Sequence, residues 1–457
     1  MKLPDAWRKG VVAVVGLGKS GVAATRLLVG EGVRVYASDS TDHPYAGAAA
    51  AALRELPGVE VDLGRHDLAR IRAAAGVVVS PGVPPDAPPL AAARDAGIEI
   101  VSELDLGFRA IAAAGETHCI AITGTNGKTT TTALVAHLLA TAGLKATAAG
   151  NIGRPLADVA VSEAADRYRW LSVEVSSFQL HDSPHFAPEV GVLTNLAPDH
   201  LDRYPNVEAY YADKKMLFRN ASASSVWVLN GDDPAVLELA RGAPGRRALF
   251  SLKRPADAWF DTGGGPRTLR LGGAALVGRD ELRLLGDHNV ANALAASLAV
   301  HEAGVPTGLI GEGLRSFQAL PHRLESVREV GGILWINDSK ATNIASTVVA
   351  IEAMSRPFVL LLGGRHKGEP YTRLGPLLKP HARLVIAYGE AGPIVEQDLK
   401  GQVPLERGTT FADVVARARR AAQSGDAVLL SPACSSYDMF KNYEERGATF
   451  RKLVEAM

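Results

Sequence analysis

The stretch that decides how the chain is read is His118-Cys-Ile-Ala-Ile-Thr123-Gly124-Thr125-Asn126-Gly127-Lys128-Thr129-Thr130. Its apolar start predicts a buried strand over Cys119–Thr123, and the alanine- and leucine-rich continuation predicts a helix over Thr129–Ala142. Between them lies a glycine turn closed by lysine and threonine. That order supplies backbone amides to cradle phosphates, a lysine to reach the β- and γ-phosphates, and a Thr129 hydroxyl able to hold Mg²⁺. The strict GxxxxGK[ST] spacing needs glycine at position 122, where Ile122 stands, so the loop is a shortened variant.

A second phosphate loop lies upstream. Gly16-Leu-Gly18-Lys19-Ser20-Gly21 follows a predicted strand, Val11–Val15, and opens a predicted helix, Ser20–Val29. Asp39 comes at the end of the next strand, Val33–Ser38, eighteen residues after Gly21. This is the dinucleotide fingerprint. Taken alone it suits NAD or a nucleotide-sugar diphosphate equally, because amides and a helix dipole welcome any diphosphate. A dehydrogenase has no use for the loop at Gly124–Thr130, whereas an ATP-driven enzyme acting on a nucleotide-linked substrate needs both.

At 457 residues the chain has room for about three domains of ~150 residues. Predicted strands continue at Val77–Ser80, Ile98–Ser102, Trp170–Val175, Val190–Thr194, Ile333–Asn337, Phe358–Leu362, Leu384–Tyr388 and Ala427–Leu430. Helices alternate with them, including Asn289–Ala303 and Tyr443–Glu455, and Leu269–Leu285 predicts a small hairpin region. Strand–helix alternation implies parallel sheets. The expected fold is α/β in three domains: 1–104 Rossmann-like, 105–320 with a central P-loop ATPase-like parallel sheet, and 321–457 Rossmann-like. Lys+Arg and Asp+Glu balance at 49 each, which argues against a nucleic-acid binder. Apolar runs such as Val11–Val15 fall far short of the ~20 residues of a spanning helix, and the start lacks a signal-peptide core, so no membrane partner and a cytoplasmic location are expected. The two cysteines, Cys119 and Cys434, form no CxxC pair, against a zinc ribbon or a disulfide scaffold.

Glu174 falls in an apolar strand, where a carboxylate needs a cation; Mg²⁺ or a lysine would serve. The cluster Thr194-Asn195-Leu-Ala-Pro-Asp199-His200-Leu-Asp-Arg203-Tyr204 sits past a predicted strand end, where α/β active sites form. Lys214 and Lys215 follow on a helix and are equal candidates by spacing alone.

GTNGKTT, EVSSFQL, NLAPDHLDRY, GDHNVANALAA and LPHRLE, in this order, resemble the Mur ligases, ATP-dependent amide-forming enzymes of peptidoglycan precursor synthesis. Trp335-Ile-Asn-Asp338-Ser339-Lys340-Ala-Thr342-Asn343 and the segment Leu430–Gly447 resemble the D-glutamate-adding branch. The resemblance implies that the upstream loop (Gly16, Gly18, Lys19, Ser20) binds a UDP diphosphate and not NAD. Asp39 and Ser40 would lie by the uridine, and Ser80 and Asn151 by the UDP-sugar substrate. Gly124, Thr125, Asn126, Gly127, Lys128, Thr129 and Thr130 would hold ATP, with Asn289 and Asn292 at the adenine, Arg323 on a phosphate and Asp338 on the ribose. Two Mg²⁺ ions are implied, held by Thr129, Glu174, His200 and a carbamylated Lys214; the family pattern YxxxK with its apolar pair selects Lys214 over Lys215. Lys340, Thr342, Lys367, Ser436, Tyr437 and Tyr443 would surround D-glutamate. The implied substrates are UDP-N-acetylmuramoyl-L-alanine and D-glutamate, joined through an acyl phosphate by a monomer.

Overall fold

The computed structural model describes residues 3–42, 44–115, 117–162, 168–201 and 203–457. Three sheets carry the chain. The first holds β1 (Val11–Val15), β2 (Arg34–Asp39), β3 (Val59–Leu63), β4 (Gly76–Val79) and β5 (Ile100–Ser102) in the order β3-β2-β1-β4-β5, all parallel. This is the Rossmann order, and it reverses between β1 and β4, where a crevice for ligands opens. Val12–Val15 are fully buried, as a strand covered on both faces requires.

The central sheet holds β6 (His118–Thr123), β7 (Ala146–Gly150), β8 (Trp170–Glu174), β9 (Val190–Leu193), β10 (Val226–Asn230), β11 (Arg246–Ser251), β12 (Ala258–Asp261), β13 (Thr268–Leu271) and β14 (Ala274–Gly278). Its order is β14-β13-β12-β11-β10-β9-β6-β8-β7, parallel from β7 to β12 and antiparallel over β13 and β14. The glycine-rich stretch read as a hairpin region is the β13–β14 pair. β6 lies between β8 and β9, so Gly124, Glu174 and Thr194 leave neighbouring strand ends.

The third sheet holds β15 (Glu325–Val330), β16 (Ile333–Asn337), β17 (Phe358–Gly363), β18 (Ala382–Tyr388), β19 (Leu405–Arg407) and β20 (Ala427–Leu430), in the order β15-β16-β20-β17-β18-β19, with β15 antiparallel. Successive residues of β17 feed opposite faces: Leu360 and Leu362 join one core, Val359 and Leu361 the other.

The chain divides into two compact units, one running to Leu282 and including Ala291–Ser316, the other holding Arg283–Val290 and Phe317–Met457. The first two sheets therefore share one unit. The segment after β5 ties them together. Ser102 N donates to Asp182 O at 2.5 Å, and its hydroxyl meets that of Ser183 at 2.7 Å. Glu103 Oε1 accepts from Ala157 N at 2.6 Å, and Asp105 accepts from His185 N at 2.7 Å. Gly107 packs so closely that a Cβ there would lie 2.5 Å from Ala157 N. Among the described residues, no helix is long and apolar enough to cross a membrane.

Burial raises the Glu103 carboxyl to about 7, although the Ala157 amide opposes the shift. The folded chain then keeps a proton that the unfolded chain has released, so this group's contribution to stability falls as pH rises from the ordinary carboxylate range through 7. Glu103→Gln keeps an acceptor for Ala157. It should melt roughly 3–6 °C above the native protein at pH 8, and the gap should shrink at pH 5. Melting curves whose separation does not widen between pH 5 and 8 would refute this.

Candidate active site

The loop after β6 is built by absent side chains. Gly124 and Gly127 have φ of 143° and 81°. A Cβ on Gly124 would lie 2.0 Å from Thr194 Oγ1, and one on Gly127 would lie 2.2 Å from Asn292 Oδ1. The exit of β9 holds the loop: Thr125 N donates to Asn195 O (2.9 Å), Asn126 N to Asn195 Oδ1 (2.9 Å), and Thr194 Oγ1 to Asn126 O (2.6 Å). The helix Lys128–Thr141 then starts with no side-chain cap, which leaves its first turn suited to an anion. Asn292, expected at the adenine, is buried, and its Oδ1 accepts from Thr131 Oγ1 at 3.3 Å.

Two amines meet at Gly124 O. Lys128 Nζ donates to it at 3.0 Å and to Thr125 O at 2.7 Å. Lys214 Nζ donates to it at 2.7 Å and stands 4.6 Å from the Tyr210 ring centre. Lys214 is 1% exposed, whereas Lys215 is exposed. Burial, reinforced by the nearby Lys128 charge, holds the Lys214 amine well below the usual lysine range.

Glu174 is 3% exposed at the end of β8. Its Oε1 accepts from Asn151 Nδ2 at 2.9 Å, while its buried Oε2 meets no hydrogen-bond donor among the described residues. A buried carboxylate oxygen left open fits a cation. His200 has φ of 54°, sits edge-on to Phe178 at 5.2 Å, and keeps its ring half-exposed with Nε2 3.6 Å from Asp199. Among the described residues, no three His, Cys, Asp or Glu gather as a ready metal cage. A nucleotide-bound Mg²⁺ takes phosphate and water ligands and needs few from protein, so the sparse donor set suits it.

In the first sheet, Gly16 has φ of 93°, its carbonyl accepts from Ser80 Oγ at 2.9 Å, and a Cβ on Gly21 would strike that carbonyl at 1.8 Å. Lys19 and Ser40 are exposed. Asp39 accepts from Leu17 N at 2.7 Å and from Thr41 N and Oγ1 at 2.9 and 2.8 Å. Burial alone would raise its carboxyl, but these donors win and lower it. Asp39 thus braces the loop from within.

The second unit gathers its own set. Lys340 Nζ donates to Tyr443 Oη at 2.7 Å, and Ser339 Oγ donates to Tyr443 O at 2.8 Å. Arg446, fully buried, donates to Ser339 Oγ and O and to Cys434 O. Asp338 accepts from Leu324 N and Ser431 Oγ, and burial pushes its carboxyl up to about 7. Ser436 is buried, Thr342 half-buried, Lys367 exposed, and Tyr437 63% exposed. Asn289 Nδ2 donates to Leu285 O. Neither cysteine is placed as a nucleophile: burial raises both thiols, Cys434 to about 11, and Tyr371 Oη lies 2.7 Å from Cys434 Sγ.

Sequence reasoning missed a knot beside Lys214. Asp213 meets His181 Nδ1 at 2.8 Å and accepts from Tyr204 Oη at 2.9 Å, and Tyr204 stacks on Phe178. Asn195 as a loop clamp and Asn151 as a partner of Glu174 were also unread. No local motif signals such long-range pairs.

Two glycine loops at strand ends, an open buried carboxylate and a buried lysine held below its usual range suit an enzyme that uses a nucleotide. Comparison narrows the class. Residues 10–102 match the Mur ligase MurD-like N-terminal domain, 122–300 the Mur ligase middle domain, and 322–434 the Mur ligase glutamate ligase domain. The UDP-N-acetylmuramoylalanine–D-glutamate ligase of Salinibacter ruber is 42% identical over 468 residues, covering 99% of each chain. The ligase of the same name from Myxococcus xanthus is 41% identical, covering 98% of each. Among solved structures, the UDP-N-acetylmuramate–alanine ligase of Thermotoga maritima matches with TM-score 0.61 at 19% identity, over 98% of this chain and 99% of that one. The chain belongs to the Mur ligase family, and with it to enzymes that use ATP and Mg²⁺.

Gly127→Ala forces a β-carbon into Asn292 at a left-handed position. It should weaken ATP binding about tenfold or more while the far-UV spectrum stays native, as titration calorimetry would show. Unchanged affinity would mean the loop does not hold phosphate.

Proposed function

We propose that the chain joins D-glutamate to UDP-N-acetylmuramoyl-L-alanine with ATP, as a cytoplasmic monomer in peptidoglycan precursor synthesis. The observation that carries the reading is the pairing of an ATP-type loop with Glu174 Oε2 and Lys214, in one compact unit with a second diphosphate loop. The named relatives at 41–42% identity along nearly the whole chain support the choice of substrates. On this reading residues 1–104 serve the UDP-substrate, 105–320 ATP and 321–457 D-glutamate.

The L-alanyl carboxylate oxygen attacks the γ-phosphorus of ATP, the bond to the β-phosphate oxygen breaks, and ADP leaves an acyl phosphate. The D-glutamate amine, having lost its ammonium proton, attacks the acyl carbon; the C–O bond breaks, the nitrogen gives up a second proton to solvent, and phosphate departs. Lys128 and the open first turn of its helix orient the triphosphate and take up negative charge. Glu174, Thr129, His200 and a carbamylated Lys214 are the residues that would hold Mg²⁺, which when bound supplies positive charge to the phosphate oxygens. Lys340 offers a cation to the D-glutamate carboxylates, with Thr342, Lys367, Ser436, Tyr437 and Tyr443 around them.

Lys214 is suited to carbamylation because burial and the Lys128 charge favour the neutral form of its amine. The nitrogen lone pair adds to CO₂, a proton leaves, and a carboxylate results. Under ¹³CO₂ a single slow-exchanging carbamate carbon should appear by NMR and vanish in Lys214→Ala. That variant should lose at least ~100-fold in kcat and regain part of it with a short-chain carboxylate. Full activity of Lys214→Ala without additive would sink the assignment.

The defining assay is phosphate release with Mg-ATP, UDP-N-acetylmuramoyl-L-alanine and one amino acid at a time. Release is expected with D-glutamate and not with L-glutamate, L-lysine or meso-diaminopimelate. Release with another amino acid overturns the acceptor, and release with none overturns the ligase.

A further inference from the structure

Arg323 is flanked by two non-glycine residues in left-handed backbone, His322 with φ of 65° and Leu324 with φ of 44°. Such residues are strained and persist only where their surroundings over-determine them. The surroundings here are specific. His322 N donates to Glu325 Oε2 at 2.9 Å, and His322 O accepts from Lys340 N at 3.1 Å. Asn337 Nδ2 lies 3.0 Å from His322 Nδ1 and 3.2 Å from Glu325 Oε2. Leu324 N donates to Asp338 Oδ1 at 3.2 Å.

The helix Tyr443–Glu455 closes the clamp from the other side. Its Gly447 lies against the imidazole, where a Cβ would come within 2.1 Å of His322 Nδ1. One turn on, Arg451 pairs with Glu325 Oε1. Glu325 is 7% exposed, so both carboxylate oxygens are committed in a mostly dry site, one to the strained turn and one to the helix. The Arg323 charge works against the burial that raises the Asp338 carboxyl and the Tyr443 hydroxyl.

We propose that Glu325 is a positioning residue for Arg323: anchored by Arg451 of the C-terminal helix, its carboxylate holds the His322–Leu324 turn and so sets the direction in which the arginine leaves the backbone. The inference rests on the reading of Arg323 as a partner of an ATP phosphate. It assigns Glu325 and Arg451 no contact with substrate. With one acceptor oxygen and no charge, a glutamine cannot serve both the His322 amide and Arg451, so the turn relaxes toward right-handed backbone and the Arg323 side chain swings.

The test is a double-mutant cycle on the full chain. Glu325→Gln, nearly isosteric, should lower kcat/KM for ATP about 10- to 100-fold, the scale of a roughly 1 Å misplacement. KM for the UDP-linked substrate should hold within about twofold, the split that a merely structural lesion does not give. On an Arg323→Ala background the same change should cost nothing further. An unchanged kcat/KM for ATP, an equal loss for every substrate, or a full further loss on the Arg323→Ala background each overturns the proposal. Should Glu325→Gln not fold, Arg451→Lys keeps the charge, loses the forked geometry and runs the same cycle with a smaller expected effect. Equilibrium binding of ATP is measured on the same variants. ATP binding that shows the Arg323–Glu325 coupling in a protein that releases no phosphate with D-glutamate would refute the assigned reaction and leave this inference standing.

Discussion

One carbonyl oxygen, that of Gly124, receives the amines of both Lys128 and Lys214. Two ammonium groups converging on one acceptor in a buried place repel, and burial together with the Lys128 charge holds the Lys214 amine well below the usual lysine range. The consequence spreads outward. A neutral buried amine is a nucleophile, whereas a charged one would be a spectator. Lys128 remains the loop's cation. The Gly124 carbonyl can serve both because Thr194 and Asn195 fix the loop from β9, and because no Cβ intervenes between them.

The second unit solves a related difficulty with the opposite chemistry. Its buried charges are satisfied by pairing: Arg446 by three carbonyl or hydroxyl oxygens, Glu325 by Arg451, Asp338 by an amide and a hydroxyl. Buried charges of this kind add little net stability, yet removing one partner is costly. What they secure is direction. Lys340, Arg323 and Tyr443 come from three separate stretches of chain, and the paired charges hold those stretches in register.

Much of the fold was legible because period and punctuation agree. β1, β16, β20 and the last helix match the sequence expectation residue for residue, since each is a short apolar run or an amphipathic stretch bounded by clear breakers. Others drifted by a residue or two: the loop helix begins at Lys128, and β5 begins at Ile100 because Gly97 turns the chain at φ of 68° and delays pairing. β7, Ala146–Gly150, carried no signal, as alanine and glycine have little strand preference; it forms because β8 offers an edge to pair with. The glycine turns and the buried place of Glu174 were legible from local pattern, whereas spacing left Lys214 and Lys215 equal and only the family resemblance chose the buried one. The Asp213 knot and the Glu325 clamp were not legible, because each joins residues distant in sequence through side chains whose types are unremarkable on their own.

The strap formed by Ser102, Glu103, Asp105 and Gly107 bears on how such a chain can change over time. A Rossmann sheet is often thought of as a portable part, free to be exchanged between proteins. Here the sheet ends in acids that take partners from the neighbouring sheet's side, Glu103 from the backbone of Ala157 and Asp105 from His185. Moved alone, it would carry unpaired buried polar groups into solvent or into a foreign contact. Its inheritance is therefore tied to that of the helix beginning at Leu156, and variation in one is constrained to answer variation in the other.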